Sequence, residues 1–105
     1  MMFNDRERDF ENRYVHDQEL KFRIRARRNK LLGHWAAEKL GKGPDEANAY
    51  AQAVIRADFE LPGEDDVFAK LRHDFDAAGI DIADADIRAK MAEALVEAEK
   101  QVMAE

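Results

Sequence analysis

Few side chains in this sequence are equipped for chemistry, and their spacing argues against it. The imidazoles are His16, His34 and His73. No two stand at i,i+3 or i,i+4, the spacing that lets one helix offer two ligands to a metal ion. Asp81, Asp84 and Asp86 have the density of a calcium loop. They lack its spacing of acids, its central glycine and its terminal glutamate, and they suit a helix N-terminus better. The chain contains no cysteine, serine or threonine, so tyrosine is the sole hydroxyl available as a nucleophile. No glycine-rich phosphate loop is present, and the many acids are spread over helical positions without a marked pair. The expectation is a protein that is not an enzyme, with no catalytic residue and no metal.

The remaining chemistry is charge. Lys21, Arg23, Arg25, Arg27, Arg28 and Lys30 form a dense basic run that could meet phosphates. Two features weigh against nucleic acid. The whole chain carries a net charge of −6, and the run wraps around a helix instead of lining one side. Arg27 and Arg28 are expected at the core edge, with stems packed and heads paired to acids of other helices. A binding module for an acidic partner, RNA or protein, acting through residues 21–30 stays open as the alternative. Residues 1–30 hold nine Lys/Arg against six Asp/Glu, and residues 31–105 hold eight against seventeen. A basic neck on an acidic body can guide association, or the charges can simply keep a small helical domain in solution.

The elements that would position these groups are helices. At 105 residues the chain suits one domain with a modest core. No apolar run approaches the roughly 20 residues needed to cross a bilayer. The charged start, MMFNDRERDFE, lacks a signal-peptide segment. A cytoplasmic protein without membrane insertion is expected. Breaks fall at Gly41, Gly43-Pro44, Pro62-Gly63 and Gly79, separating stretches rich in good helix formers. Pro44 suits a first helical position and Gly79 a residue just past a helix end. Helical periodicity gives the stripes Ala47, Tyr50, Val54, Ala57 and Leu61, with Ile55 beside them; then Phe68, Leu71 and Phe75; then Ile87, Met91, Leu95, Ala98 and Val102. Asp81, Asp84 or Asp86 could cap the last helix.

The first segment is unusual. Leu20, Ile24, Leu31 and Trp35 share a face, with Leu32, Ala36 and Leu40 beside them. Residues 21–27 alternate charged and apolar, which reads as a strand. A lone strand would have no partner, so a helix from about Asp5 to Leu40 is expected. It would span about 50 Å against roughly 25–30 Å for the others. Its first part must then overhang. Residues 1–19 contain few apolar side chains and several acid-first i,i+4 pairs, such as Asp9–Arg13 and Asp17–Lys21, each contributing a few tenths of a kcal/mol. Such a helix is marginal without packing and orders on meeting a partner, or else it is an ordinary frayed terminus. The expected architecture is all-α: a four-helix bundle over residues 20–105 with a mobile segment at residues 1–19.

The block Ala26-Arg27-Arg28-Asn29-Lys30-Leu31-Leu32-Gly33, followed by Trp35-Ala36-Ala37, resembles the signature of the alphaproteobacterial zeta subunit of F-type ATP synthase, an ATPase inhibitor. Phe3, Asp5-Arg6-Glu7, Phe10-Glu11, Asp17 and Glu19-Leu20 resemble that family's N-terminus. Tyr50-Ala51 with Asp58-Phe59, and Ile87-Arg88-Ala89-Lys90-Met91 with Ala94 and Glu99, resemble its second and last helices. The resemblance implies a four-helix bundle whose N-terminal segment inserts into a catalytic α/β interface near the central stalk and blocks hydrolysis. It implies α, β and γ subunits as partners and a place peripheral to the inner membrane when bound. By that likeness Phe3, Phe10 and Tyr14 would be apolar anchors. Arg6, Arg8 and Arg13, beside Asp5, would meet the interface, and Arg23, Arg27, Arg28 and Lys30 would dock against the head. No cofactor is implied beyond weak adenine-nucleotide binding. Arg25 makes the neck more basic than the family pattern.

Overall fold

A computed structural model describes residues 2–60 and 64–105, with side chains described for residues 16–59 and 65–105. Four helices follow one another: α1 (Met2–Lys39), α2 (Pro44–Glu60), α3 (Glu64–Ala77) and α4 (Asp84–Met103). There is no strand among the described residues, and the alternating stretch at residues 21–27 lies within α1.

The breaks act through identifiable backbone chemistry. Gly41 and Gly79 adopt φ of 75° and 71°, a region that costs a residue with a Cβ. At the end of α1, Lys42 N–H donates to the Ala37 carbonyl at 3.0 Å and Gly41 N–H to that of Glu38 at 3.1 Å. At the end of α3, Ile80 N–H reaches Phe75 at 2.8 Å and Gly79 N–H reaches Asp76 at 3.1 Å. Both are Schellman closures, which satisfy carbonyls left over at a helix end. Pro44 opens α2, with Asp45 and Glu46 in its first turn. An aspartate cap on α4 is not observed: Ala83 holds the cap position with no side-chain hydrogen bond. Asp84 and Asp86 lie one step inside, in the first turn, where they face the positive end of the dipole. Asp84 also accepts from Arg72 at 3.0 Å.

The core is built from Leu32, Ala36, Val54, Val67, Leu71, Phe75, Ile87, Met91 and Ala94. Several expected stripes are offset from it. In α1 the buried residues are Arg28, Asn29, Leu32, Gly33, Ala36 and Ala37, while Leu20, Ile24, Leu31 and Trp35, and Leu40 just past its end, are half-buried. In α2 Ala51, Val54 and Asp58 face inward; Ala47, Tyr50, Ile55 and Ala57 lie at the rim, and Leu61 falls outside the described residues. Val67 is buried in α3 where Phe68 is half-buried, and in α4 Ala94 is buried where Leu95 is half-buried. The physical reason is close helix approach. Small residues occupy the lines of contact and larger apolar groups pack around them. A Cβ added to Gly33 would lie 2.6 Å from Ala51 Cα, so only glycine permits the α1–α2 spacing observed.

Thirty-eight residues in α1 span about 57 Å, whereas the other helices span roughly 21–30 Å. The molecule measures 64 × 24 × 21 Å, so its length is set by α1. His16, Asp17, Gln18, Glu19, Lys21, Phe22 and Arg23 are exposed, Leu20 is half-buried, and full burial begins at Arg28. The expected boundary between residues 19 and 20 falls inside continuous helix. The side chains of Phe3, Asp5, Arg6, Arg8, Phe10, Arg13 and Tyr14 lie outside the described residues.

Candidate partner interface

The neck of α1, from Phe22 to Lys30, is where the bundle gives way to the projecting helix. Both α2 and α4 run antiparallel to α1. Gly33 meets Ala51 while Arg25 meets Asp58, and Lys90 lies over the Trp35 ring while Arg27 meets Gln101. The C-terminal ends of α2 and α4 therefore converge on the neck. Each end carries a partial negative charge, which the basic run complements.

On the α2 side the centre is Asp58, 1% exposed. Arg25 donates to both of its oxygens, from Nε to Oδ2 and from Nη2 to Oδ1 at 2.8 Å. Asn29 Nδ2 donates to Oδ2 at 2.8 Å. Arg28 Nη2 lies 3.7 Å from the same oxygen, and its Nε donates to Asn29 Oδ1 at 3.1 Å. Burial alone would raise the carboxyl pKa. The hydrogen bonds from Arg25 and Asn29 and the charges of Arg25 and Arg28 outweigh it and hold Asp58 below the ordinary carboxylate value. A charge this deep is tolerable only with such partners. Beside it Phe22 and Phe59 stack at 5.1 Å and 19°, although both rings remain exposed.

On the α4 side Arg23 and Arg27 both pair with the Glu105 carboxylate. Arg27 Nη1 also donates to Gln101 Oε1 at 2.9 Å. These arginines, Arg27 first, lower the Glu105 pKa. The expected pairing of Arg27 and Arg28 with acids of other helices holds for Arg28, which meets Asp58 of α2; the acid that Arg27 meets, Glu105, lies just past the end of α4. Of the four residues assigned to docking, Arg23, Arg27 and Arg28 are engaged inside the molecule; Lys30 is exposed.

Sequence reasoning did not single out Asn29, Gly33 or Asp58 as functional positions. The signal for Asp58 was present: it continues the line Ala51–Val54 by one helical turn. Asn29 had a weaker one, as an amide within a helical run.

Elsewhere the chemistry is structural. Tyr50 donates to Asp74 at 2.7 Å, and Lys70 reaches the same oxygen at 3.0 Å. Burial, then the Asp74 hydrogen bond and charge, push the Tyr50 phenol pKa upward. Trp35 packs edge-on to Phe75 at 5.7 Å. Among the described residues no three His, Cys, Asp or Glu side chains gather as a metal site. No helix of the described chain is long and apolar enough to cross a membrane.

These features define a small all-helical protein organised around one projecting helix. The model of the ATPase inhibitor subunit zeta family matches residues 1–101, and the chain belongs to that family. A structure solved by NMR in solution is similar over 81% of this chain and 96% of its own, at 46% identity and a TM-score of 0.72. A search of curated proteins gives no match.

Proposed function

We propose that this protein inhibits ATP hydrolysis by an F-type ATP synthase, with the N-terminal part of α1 inserted at a catalytic α/β interface near the central stalk. The observation that carries this reading is the mismatch of α1 with its bundle: the helix starts at Met2, while the first fully buried side chain among the described residues is Arg28. A helix without packing is marginal alone and gains stability from a groove that covers it. Residues 1–19 would be the mobile inhibitory segment and residues 20–105 the bundle that carries it. Phe3, Phe10 and Tyr14 would be the anchors, with Asp5, Arg6, Arg8 and Arg13 meeting charged groups of the α, β and γ subunits. The protein itself would be a non-enzyme, and adenine nucleotide would at most bind weakly.

In the docking set, Lys30 is directly available, whereas Arg23, Arg27 and Arg28 would have to exchange internal partners. That exchange also weakens the alternative in which residues 21–30 bind RNA. The test is ATP hydrolysis by the cognate ATPase with full-length protein and with a form lacking residues 1–19. Full-length protein should inhibit, and the shortened form should not while keeping its helical circular dichroism. Equal inhibition by both would refute the assignment.

A further inference from the structure

The basic neck is tied to the bundle at several points. Five side chains from just under two turns of α1 (Phe22, Arg23, Arg25, Arg27 and Arg28) contact the C-terminal ends of α2 and α4 and the residue just beyond α4. On one side a buried carboxylate receives Arg25 and Asn29, and on the other a single exposed carboxylate is shared by Arg23 and Arg27. One anchor lies on α2 and the other just past the end of α4, and they grip different sides of α1. Two attachments on opposite sides of a rod fix its direction, whereas one would leave it free to swing.

We propose that Asp58 and Glu105 are positioning residues: with Arg25, Arg23 and Arg27 they form a collar that sets the direction in which α1 leaves the bundle. This deepens the inhibitor reading and, in its effect on inhibition, rests on it. The segment before the collar reaches its target only when bundle and segment are correctly oriented together. If loosening cuts the competent orientation to about one-tenth, the apparent affinity falls about tenfold, because binding is reduced by the competent fraction. Maximal inhibition at saturation is unchanged. In the free chain the arginines act on Asp58 and Glu105.

The chain lacks cysteine, so His16→Cys and Glu99→Cys, both at exposed positions, accept spin labels uniquely. The labelled full chain should give a narrow distance distribution. Asp58→Asn with Glu105→Gln should broaden it and raise the half-inhibitory concentration about tenfold. Because Asp58 is buried, the surface variant Glu105→Arg is tested separately; it sets three cations together and should broaden the distribution with helicity intact. Adding Arg23→Glu and Arg27→Glu to Glu105→Arg restores opposite charges in reverse, and should restore the narrow distribution. A distribution unchanged in all variants would overturn the proposal. So would a charge swap that leaves the distribution as broad as Glu105→Arg alone. If the unsubstituted chain does not inhibit, the inhibitor reading fails, and the distance distributions alone decide whether the collar orients α1.

Discussion

Replacing Gly33 by alanine sets two opposing effects against each other. In an isolated helix the change would stabilise by about 1 kcal/mol, because alanine is the better helix former. In this fold the new Cβ would lie 2.6 Å from Ala51 Cα and 3.1 Å from Ala51 Cβ. Ordinary contact between carbons is about 3.5–4.0 Å, so α1 and α2 must separate by roughly 1 Å. One turn away, Asn29 donates to Asp58 at 2.8 Å. The same separation would stretch that bond well beyond about 3.2 Å, the outer edge of normal geometry. Overpacking costs about 1–3 kcal/mol and a lost hydrogen bond to a charged group about 1.5–3 kcal/mol. After the propensity gain, Gly33→Ala should destabilise by about 1.5–5 kcal/mol, centred on about 3 kcal/mol. For a domain of this size that lowers Tm by about 10–20 °C, read by circular dichroism during thermal unfolding. Adding Ala51→Gly should not rescue the variant, because the nearest atom is backbone. A Tm equal to or above that of the parent would refute the close-packing argument.

Two further expectations concern titration. Asp58 has its pKa lowered in the folded state, so the stability it contributes is present above the unfolded value of about 4 and is lost as pH falls through the lower folded value. Stability of the parent, measured by denaturant unfolding, should decline below about pH 4, and Asp58→Asn should be less stable at neutral pH with a flatter acid limb; identical acid limbs would contradict the assigned role. Tyr50 has its pKa raised, so its contribution is present below about pH 10 and is lost as pH rises through the folded value. In a Tyr14→Phe chain, where Tyr50 is the sole remaining tyrosine, absorbance at about 295 nm should not report ionisation near pH 10 before the protein unfolds, and a normal titration would show that the Asp74 hydrogen bond does not hold in solution.

Local signals made the helix count and the breaks legible. Gly41, Pro44 and Gly79 act within a few residues of themselves, and the structure uses each as its type implies. The inward lines were less legible because α1 lies against two helices at once, and periodicity reports an average apolar direction, not the contact of closest approach. That is why Trp35 and Leu31 seemed central, while Gly33 and Ala36 hold the contacts. The neck was half legible. Its charge and the inward turn of Arg27 and Arg28 followed from side-chain length and an acidic body. The identity of the acids did not, because Asp58 and Glu105 pair with it across 33 to 82 residues of sequence. No local pattern specifies a pairing at that range. Asp58 was hidden further by type, since a carboxylate in a helical stripe is ordinarily a solvent residue.

The collar also has a place in the order of synthesis. Its basic half lies in α1 and its last acidic partner, Glu105, just past the end of α4, so the arginines are made well before the carboxylate that two of them share. Until α4 emerges, Arg23 and Arg27 are without the carboxylate that neutralises them, and Leu32 and Ala36 lack part of their cover. A nascent chain would therefore present its positive neck to the polyanionic ribosome until that carboxylate has been made. The geometry of the projecting helix would be completed only once the residues just past α4 have emerged.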